Sequence, residues 1–237
     1  LFIARELLKQ QIAEALSEDL LMVYESNREP EEYRTHPDDI ARRSLKNTVL
    51  SYLVMLQDDE VQQLCLNQYG AGQNMTDVMA AFNLIADSDY AGREEVLRDF
   101  ESNWQHDSLV MDKWFTAQAI SRRDDTLANV RQLMQHPLFS IRNPNKVRSL
   151  VGAFCRANPI RFHQANGEGY VFLAERVMEL DVLNPQVAAR MLRIISRWHR
   201  YDEHRQQQMK LQLERVISSA DISRDVYEIA AKSLRTE

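Results

Sequence analysis

The sequence predicts an all-α protein, and three observations lead to that prediction. The dipeptide Asn-Pro occurs three times, beginning at Asn143, Asn158 and Asn184, each time directly before an apolar run with helical spacing. Asn is a preferred helix N-cap and Pro suits the first helical position, so each pair marks a helix start. Only six Gly and six Pro occur in 237 residues, so the chain contains few helix breakers. No segment shows the apolar–polar alternation of a half-buried strand.

The first six predicted helices are separated by polar or glycine-containing connectors. The first is a long helix that ends near Ser26, and a polar connector separates it from the second, which Pro37 begins. The third stops at Gly70 to Gly72, and Asn74 or Thr76 caps the fourth. The apolar residues or approximate ranges that define these six helices are, in order, Leu8, Ile12, Leu16, Leu20 and Val23; Leu45, Val49, Leu53 and Leu56; Asp59–Gln68; Val78, Phe82 and Ile85; Tyr90–Trp104; and Val110, Trp114, Phe115 and Ala117, to about Ile120.

The remaining seven predicted helices begin at caps or turns. Asp124 to Thr126 caps the seventh, and the three Asn-Pro pairs begin the eighth, ninth and eleventh. A turn at 166–169 precedes the tenth. The defining residues or ranges are Leu127, Val130, Leu133 and Met134; Val147, Leu150, Val151 and Phe154; a short helix after Pro159; Tyr170–Leu180; Val187, Met191, Leu192, Ile195 and Trp198; Met209, Leu213, Val216 and Ile217; and Ser223–Leu234.

The connections between these helices are short, which predicts a curved stack of antiparallel helix pairs, an armadillo- or HEAT-like superhelix. No shift in composition marks a linker, so residues 1–237 are expected to form a single α-helical superhelix domain. Pro144 and Pro185 lie 185 − 144 = 41 residues apart, within the ~40–47-residue period of such repeats. Little else recurs at that offset, so a true sequence repeat and a curved stack without strict repeats both stay open.

Composition and charge exclude several classes of function. The net charge is −6 and no basic stripe stands out, so nucleic acid is not expected as a partner. No apolar run approaches the ~18–20 residues of a membrane span, so no membrane partner is expected. Cys65 and Cys155 lie among apolar helical residues, as buried thiols in a reducing compartment do, and without a visible signal peptide the expected location is cytoplasmic. Leu1 already belongs to a helical pattern, so the sequence is expected to be a piece of a longer protein.

Catalytic motifs are absent from the sequence. None of the six His is followed by Glu, as the H-E-x-x-H motif of zinc peptidases requires. The nearest imitation is His199 with Glu203 and His204, but two His five residues apart diverge by roughly 140° on a helix and do not share a metal from one face. No nucleophile elbow, phosphate loop, dinucleotide fingerprint or C-x-x-C occurs either. The expectation is therefore no catalytic residue, no metal ligand and no cofactor within this chain.

Five stretches, taken in order, resemble the C-terminal region of the bacterial aminopeptidase N family, zinc metallopeptidases with the H-E-x-x-H motif. The similarity covers essentially all 237 residues. The stretches are N-M-T-D at 74–77, L-V-M-D-K-W-F at 109–115, N-P-N-K-V-R-S-L-V-G-A-F at 143–154, G-Y at 169–170 and N-P-Q-V-A-A-R at 184–190.

The resemblance implies a larger enzyme with an N-terminal β domain, a thermolysin-like catalytic domain, a small β domain and a C-terminal helical superhelix. That enzyme would use zinc to remove N-terminal residues from peptides. This chain would be most of the superhelix, lacking its first helices, the G-A-M-E-N motif, the zinc ligands and the catalytic Tyr. Its implied partners are the catalytic domain of its own full-length chain and peptide substrates.

The resemblance also implies which residues contact substrate. In this family, polar residues of the superhelix line the active-site chamber, and the matching positions are Arg148, Gln186 and Arg190. The guanidinium fork of Arg suits carboxylates and peptide carbonyls. Both arginines are expected within two turns of a helix start, where the macrodipole disfavours a cation. An anionic partner, either a substrate carboxylate or an acidic side chain across the domain interface, would offset the mismatch. The alternatives are an ordinary surface arginine or a structural ion pair.

Two functions are therefore weighed. The first is a non-catalytic domain that caps the active-site chamber of an aminopeptidase, restricts access and helps bind the peptide beyond the scissile bond. The second is a stand-alone helical-repeat scaffold that binds other proteins through an exposed anchor patch.

Overall fold

The computed structural model describes residues 2–28, 33–72 and 74–235, and within these ranges every regular element is a helix. The all-α prediction is confirmed. The α-helices of the described ranges are α1 Phe2–Ala15, α2 Ser17–Ser26, α3 Pro37–Leu53, α4 Asp59–Ala71, α5 Met75–Ala86, α6 Arg93–Trp104, α7 Ser108–Ala119, α8 Thr126–Leu133, α9 Pro144–Val147, α10 Ala153–Ala157, α11 Pro159–Phe162, α12 Glu168–Leu183, α13 Pro185–Leu192, α14 Glu203–Ile217 and α15 Arg224–Leu234. Short 3₁₀ segments cover Val54–Leu56, Arg193–Ile195 and Trp198–Arg200, and a π-helical turn covers Arg148–Gly152.

The helices form two compact units, and the boundary falls inside α6, between Asp99 and Phe100. The prediction of one continuous domain over residues 1–237 stays a prediction. We describe each unit separately.

The first unit is organised around α3, which packs against α2 and α5. Its core includes the fully buried side chains of Leu50 and Phe82. A buried ion pair lies beside this core, with Lys46 Nζ 2.6 Å from Asp77 Oδ2. Because Gln68 also bonds the Asp77 backbone carbonyl, polar groups that would be costly to bury alone are satisfied together.

The second unit is built on α12 and α13, which pack against each other and against α14 and α15. Aromatic side chains fill its centre. Phe154 makes edge-to-face contacts with Phe172 and Phe162, with ring centroids 5.7 and 6.1 Å apart. Such contacts add to the free energy gained from burial alone.

All three Asn-Pro helix starts are confirmed. Asn143 and Asn184 accept hydrogen bonds from the backbone N–H groups of Asn145 and Val187. Asn158 accepts from Arg161 N and is itself buried. The fourth predicted helix is capped by Asn74, whose side chain accepts from Asp77 N. Local side-chain chemistry therefore fixes where these helices begin.

The two cysteines are both free and buried. This confirms the prediction of buried thiols. Burial raises the pKa of Cys65 to about 12 and also raises the pKa of Cys155, so neither thiol ionises near neutral pH.

The first predicted helix is divided into two shorter helices in the structure. It is broken at Leu16, whose φ of −122° and ψ of 22° leave the helical region. Leu8 and Leu16 are 56% and 45% exposed, so the predicted apolar face is not a buried face of this unit. Glu18 and Asp19 fall in the first turn of α2, where the positive end of the helix dipole favours them, and this supports a new helix start there.

Candidate functional site

The family stretches at 109–115 and 143–154 pack against each other in the second unit. Lys146 Nζ lies 2.8 Å from Asp112 Oδ1 and donates to the Ser108 carbonyl at 3.0 Å. Both charged side chains are largely shielded from water, with 6% and 16% of their side-chain surface exposed. The ion pair therefore holds α9 against α7.

A π-helical turn follows the ion pair and joins α9 to α10 in one helical run from Pro144 to Ala157. Thr116 of α7 donates to the Ser149 carbonyl inside this turn at 2.9 Å, and the Ser149 hydroxyl donates to the Lys146 carbonyl at 3.0 Å. Turns of this kind are rare and occur frequently at functional sites. Arg148 opens the turn and is exposed, whereas the four residues after it are buried.

Gln186 and Arg190 lie one helical turn apart on α13, and both are exposed. The apolar residues between them, Val187 to Ala189, are buried against the rest of the unit. A cleft of about 640 Å³ lies beside this face. Its lining comprises Pro144, Asn184, Gln186, Val187, Ala189, Arg190, Arg193, Asp225, Glu228 and Ile229.

Arg148 does not line this cleft, although it lies close to the helix that does. Arg148 Cγ and Met191 Sδ of α13 are each 3.9 Å from the position that a Cβ at Gly152 would take. Arg156 Nη2 also donates to the Arg190 carbonyl at 3.1 Å, which ties α10 to α13. The structure thus places Gln186 and Arg190 in one cleft and Arg148 on the neighbouring helical run.

The expected mismatch between the arginines and the helix dipole is wrong for Arg190. The helix α13 has only eight residues, so Arg190 falls in its last turn, where the negative end of the dipole favours a cation. Arg148 is the fifth residue of the Pro144–Ala157 run and so lies within two turns of its start, as expected. The sequence pattern extended this helix to Trp198, and the early end at Leu192 is the reason for the error.

The structural ion-pair alternative finds no support in the part of the chain that the structure describes. No carboxylate of those residues lies within 4.0 Å of the guanidinium groups of Arg148 or Arg190. Asp225 and Glu228 share the cleft with Arg190 without pairing with it at that distance. Both arginines are therefore available to a partner.

No basic stripe was expected from the sequence, and the structure shows one. Arg190, Arg193, Arg197 and Arg200 follow each other at steps of three, four and three residues, and all four are exposed. A second cleft of about 500 Å³ is lined by the last three of them together with Ile194, Ser196 and Tyr201. The regular spacing was present in the sequence, but the net charge of −6 hid this local excess of positive charge.

Tyr201 connects this second cleft to the aromatic core. Its hydroxyl lies 3.2 Å from His163 Nε2, while His163 Nδ1 lies 2.9 Å from the Tyr170 hydroxyl. Burial, and secondarily the charge of Arg205, lowers the pKa of His163 to about 4. His163 is therefore neutral near pH 7, and the positive charge of the cleft comes from arginine.

Neither a metal site nor a membrane span is found among the described residues. Residues 2–28, 33–72 and 74–235 contain no group of three or more His, Cys, Asp or Glu that could hold a metal ion. His204 Nε2 instead lies 2.8 Å from the Ala165 carbonyl. No helix in these ranges has both the length and the apolar character to cross a bilayer.

Comparison with known families and structures adds to this geometry. A family described as a domain of unknown function (DUF3458_C) with ARM repeats matches residues 1–235. In the solved structure of Legionella pneumophila aminopeptidase A in complex with aspartic acid, a region superposes with a TM-score of 0.89 at 28% identity. That match covers 97% of this chain and 28% of the other. The predicted armadillo-like fold class is confirmed.

Curated relatives of this chain are aminopeptidases as well. The chain is 38% identical to aminopeptidase N of Escherichia coli (strain K12) over 230 residues, which is 97% of this chain and 26% of the relative. It is 41% identical to aminopeptidase N of Haemophilus influenzae over 234 residues, 98% of this chain and 26% of the relative. The chain thus spans about a quarter of the length of these relatives, and the resemblance to the aminopeptidase N family is confirmed.

Proposed function

Because this chain belongs to the family of ARM-repeat domains described as DUF3458_C, we propose that it is the non-catalytic C-terminal helical domain of a larger zinc-dependent aminopeptidase. In that role it caps the active-site chamber, restricts access to it and helps bind the peptide beyond the scissile bond. Its partners are the catalytic domain of its own chain and peptide substrates, and its location is cytoplasmic. The similarity to about a quarter of several aminopeptidases supports this assignment.

One observation carries the binding role: Gln186 and Arg190 are exposed in one cleft, and Arg190 has no carboxylate partner among the described residues. An arginine offers a planar fork of donors to carbonyl or carboxylate oxygens. A glutamine amide both donates and accepts, as the backbone of an extended peptide does. The pair is therefore suited to a peptide rather than to an apolar ligand.

Bond cleavage is not assigned to this chain. The described residues do not fit a zinc site, because they lack a cluster of suitable ligands. The zinc that the family resemblance implies belongs to another part of the full-length enzyme. This domain then contributes by helping to bind the peptide and by restricting access to the active-site chamber.

The test compares long and short substrates of the full-length enzyme. We expect Arg148→Ala or Arg190→Ala to lower kcat/KM for peptides by about 5- to 30-fold, through a raised KM, because each removes about 1–2 kcal/mol of charged hydrogen bonding. Single-residue chromogenic amides have no downstream residues and should be affected little. The rates of both substrate classes are measured for each variant.

Arg98→Ala is the matched control. Arg98 is an exposed arginine of the first unit whose Nε donates to the Glu94 carbonyl of its own helix. Its loss should leave both substrate classes unchanged. Equal losses on peptides and amides in the Arg148 or Arg190 variants would contradict the proposal, and a loss of thermal stability alone would assign these residues a structural role.

A stand-alone helical scaffold is the alternative, and one observation favours it. Ile3, Leu7 and Leu8 of α1 are more than half exposed, which makes an apolar patch that a partner protein could cover. The coding sequence upstream of Leu1 distinguishes the two functions. An H-E-x-x-H motif there supports the aminopeptidase, and a start codon adjacent to Leu1 supports the scaffold.

A further inference from the structure

The residue Gln186 and the four arginines after it form one continuous face of the second unit, here called the arginine stripe (Gln186, Arg190, Arg193, Arg197 and Arg200). Their spacing is four, three, four and three residues, and each is exposed. The residues between them are buried or half-buried, except His199. The stripe therefore runs along α13 and the two 3₁₀ segments after it.

The two clefts along the stripe are joined at Arg193, which lines both. Arg200 lies 200 − 186 = 14 positions after Gln186, which at a helical rise of about 1.5–2.0 Å per residue corresponds to about 21–28 Å. An extended peptide advances about 3.3 Å per residue. The stripe thus has the length of about six to eight peptide residues.

The charge along the stripe is not uniform. Asp225 and Glu228 of α15 line the first cleft and offset part of its positive charge. The lining of the second cleft contains no acidic residue. The neighbouring Asp202 is already engaged, with Arg205 Nη1 2.7 Å from its Oδ2. The end of the stripe at Arg197 and Arg200 is therefore the more positive end.

The arginines of the second cleft are uncompensated. Within the described ranges no carboxylate lies within 4.0 Å of the guanidinium groups of Arg193, Arg197 or Arg200. Adjacent like charges repel each other, and an anion bound between them would relieve that repulsion. Bidentate pairing would make a carboxylate a well-matched anion for such a site.

We propose that Arg193, Arg197 and Arg200 form a distal subsite that binds carboxylates of the peptide substrate, several residues beyond the part held by Gln186 and Arg190. The carboxylate is that of an acidic side chain of the peptide. This inference rests on the proposed function, because it extends the same peptide track. A nucleic acid is disfavoured as the occupant by the net charge of −6 and by the acidic residues in the first cleft.

The experiment uses the full-length enzyme and eight-residue peptides that share their first four residues and end in an amide. Residues five to eight are acidic in one peptide and the corresponding amides, Asn and Gln, in the other. We expect kcat/KM to be about 5- to 30-fold higher for the acidic peptide at low ionic strength. That preference should shrink as salt screens the charges.

The variant that tests the subsite is Arg193→Gln/Arg197→Gln/Arg200→Gln. It should lose the preference, measured as the ratio of kcat/KM for the acidic peptide to kcat/KM for the neutral peptide, while its rate on a single-residue amide, which has no downstream residues, stays unchanged. The control Arg42→Gln/Arg98→Gln/Arg215→Gln removes the same charge from exposed arginines elsewhere and should keep the preference. Thermal unfolding of both triple variants verifies that each is folded. If the Arg193/Arg197/Arg200 variant is unstable, Arg197→Lys alone is measured instead and should retain part of the preference.

Several outcomes would overturn the inference. The first is that the wild-type enzyme shows no preference for the acidic peptide. The second is that the Arg193/Arg197/Arg200 variant keeps the preference. The third is that a short oligonucleotide inhibits the wild-type enzyme at a lower concentration than the acidic peptide does. The proposed function is judged separately. If Arg190→Ala selectively lowers kcat/KM for peptides and the triple variant has no effect, only the distal subsite is contradicted. If Arg190→Ala does not selectively lower kcat/KM for peptides either, the proposed peptide-binding role is contradicted as well.

Discussion

At the scale of single residues, the two glycines that begin α12 show how closely the second unit is packed. Gly167 has φ +73°, a conformation that side chains with a Cβ rarely adopt. A Cβ at Gly169 would lie 2.2 Å from the backbone carbonyl oxygen of Phe162. A backbone atom cannot move aside as a flexible side chain can, so no residue other than glycine fits there without a shift of α11 or α12.

Gly169→Ala should therefore destabilise the protein. The expected loss is about 1–3 kcal/mol of unfolding free energy, the cost of overpacking a tight site, measured by urea denaturation. Gly70→Ala is the matched control, because Gly70 lies in α4 and nothing is within 4 Å of its missing Cβ. That change should be neutral or stabilising by up to about 1 kcal/mol. Equal effects of the two substitutions would contradict the packing described here.

The candidate site shows what the sequence could reveal about individual residues. Arg148, Gln186 and Arg190 were found through their match to family stretches, and their contact with substrate stays a prediction. Arg193, Arg197 and Arg200 were missed. Counting charge over the whole chain averages away a local excess, and whether an arginine is paired depends on neighbours that are distant in sequence.

At the scale of helices, starts were predicted better than ends. The three Asn-Pro pairs were correct because an N-cap is made by residues adjacent in sequence. The ends near Leu16 and Leu192 were missed because apolar periodicity continues through them. Helix ends of this kind depend on tertiary packing, which a periodic pattern does not contain.

The three caps are chemically alike but differ in burial, which leads to a prediction. Besides capping α11, Asn158 Nδ2 donates to the carbonyls of Ala119 and Ser121, at 3.1 and 2.7 Å. Asn158→Ala should cost about 2–4 kcal/mol, because it removes the cap and both donated bonds, although the Ser121 carbonyl still accepts from the Thr126 hydroxyl. Asn143→Ala removes only an exposed cap and should cost about 1 kcal/mol.

Thermal or urea unfolding of the two variants measures this difference. Similar losses would mean that the bonds from Asn158 to the end of α7 contribute little. Asn158→Asp provides a further check, since it keeps the cap acceptor but places a buried carboxylate against the two carbonyl oxygens, and its loss should be at least as large as that of Asn158→Ala.

At the scale of the whole molecule, the net charge and the local charge of one surface have opposite signs. The chain as a whole is acidic, yet its second unit presents four exposed arginines in a row. The fold class and the buried cysteines could be predicted because they follow from composition and periodicity averaged over many residues. The grouping into two compact units could not, since no linker composition marks the boundary inside α6.

The absence of a metal cluster from the described ranges leads to a prediction for the full-length protein. His199→Ala/His204→Ala should leave its zinc content unchanged, as measured by elemental analysis of the purified protein. His204 bonds a backbone carbonyl rather than a ligand group, and the two His do not share a helix face. A parallel loss of zinc in the double variant would show that these residues hold the metal after all.

The π-helical turn between Lys146 and Phe154 has a consequence for sequence change in this domain. The additional residue wound into the turn rotates the segment before it by about 100° relative to the segment after it. Lys146 consequently points at Asp112 while Phe154 points into the aromatic core. Deleting one amino acid here would turn one of the two side chains away from its neighbours, so the number of residues in this stretch is constrained as tightly as their identity.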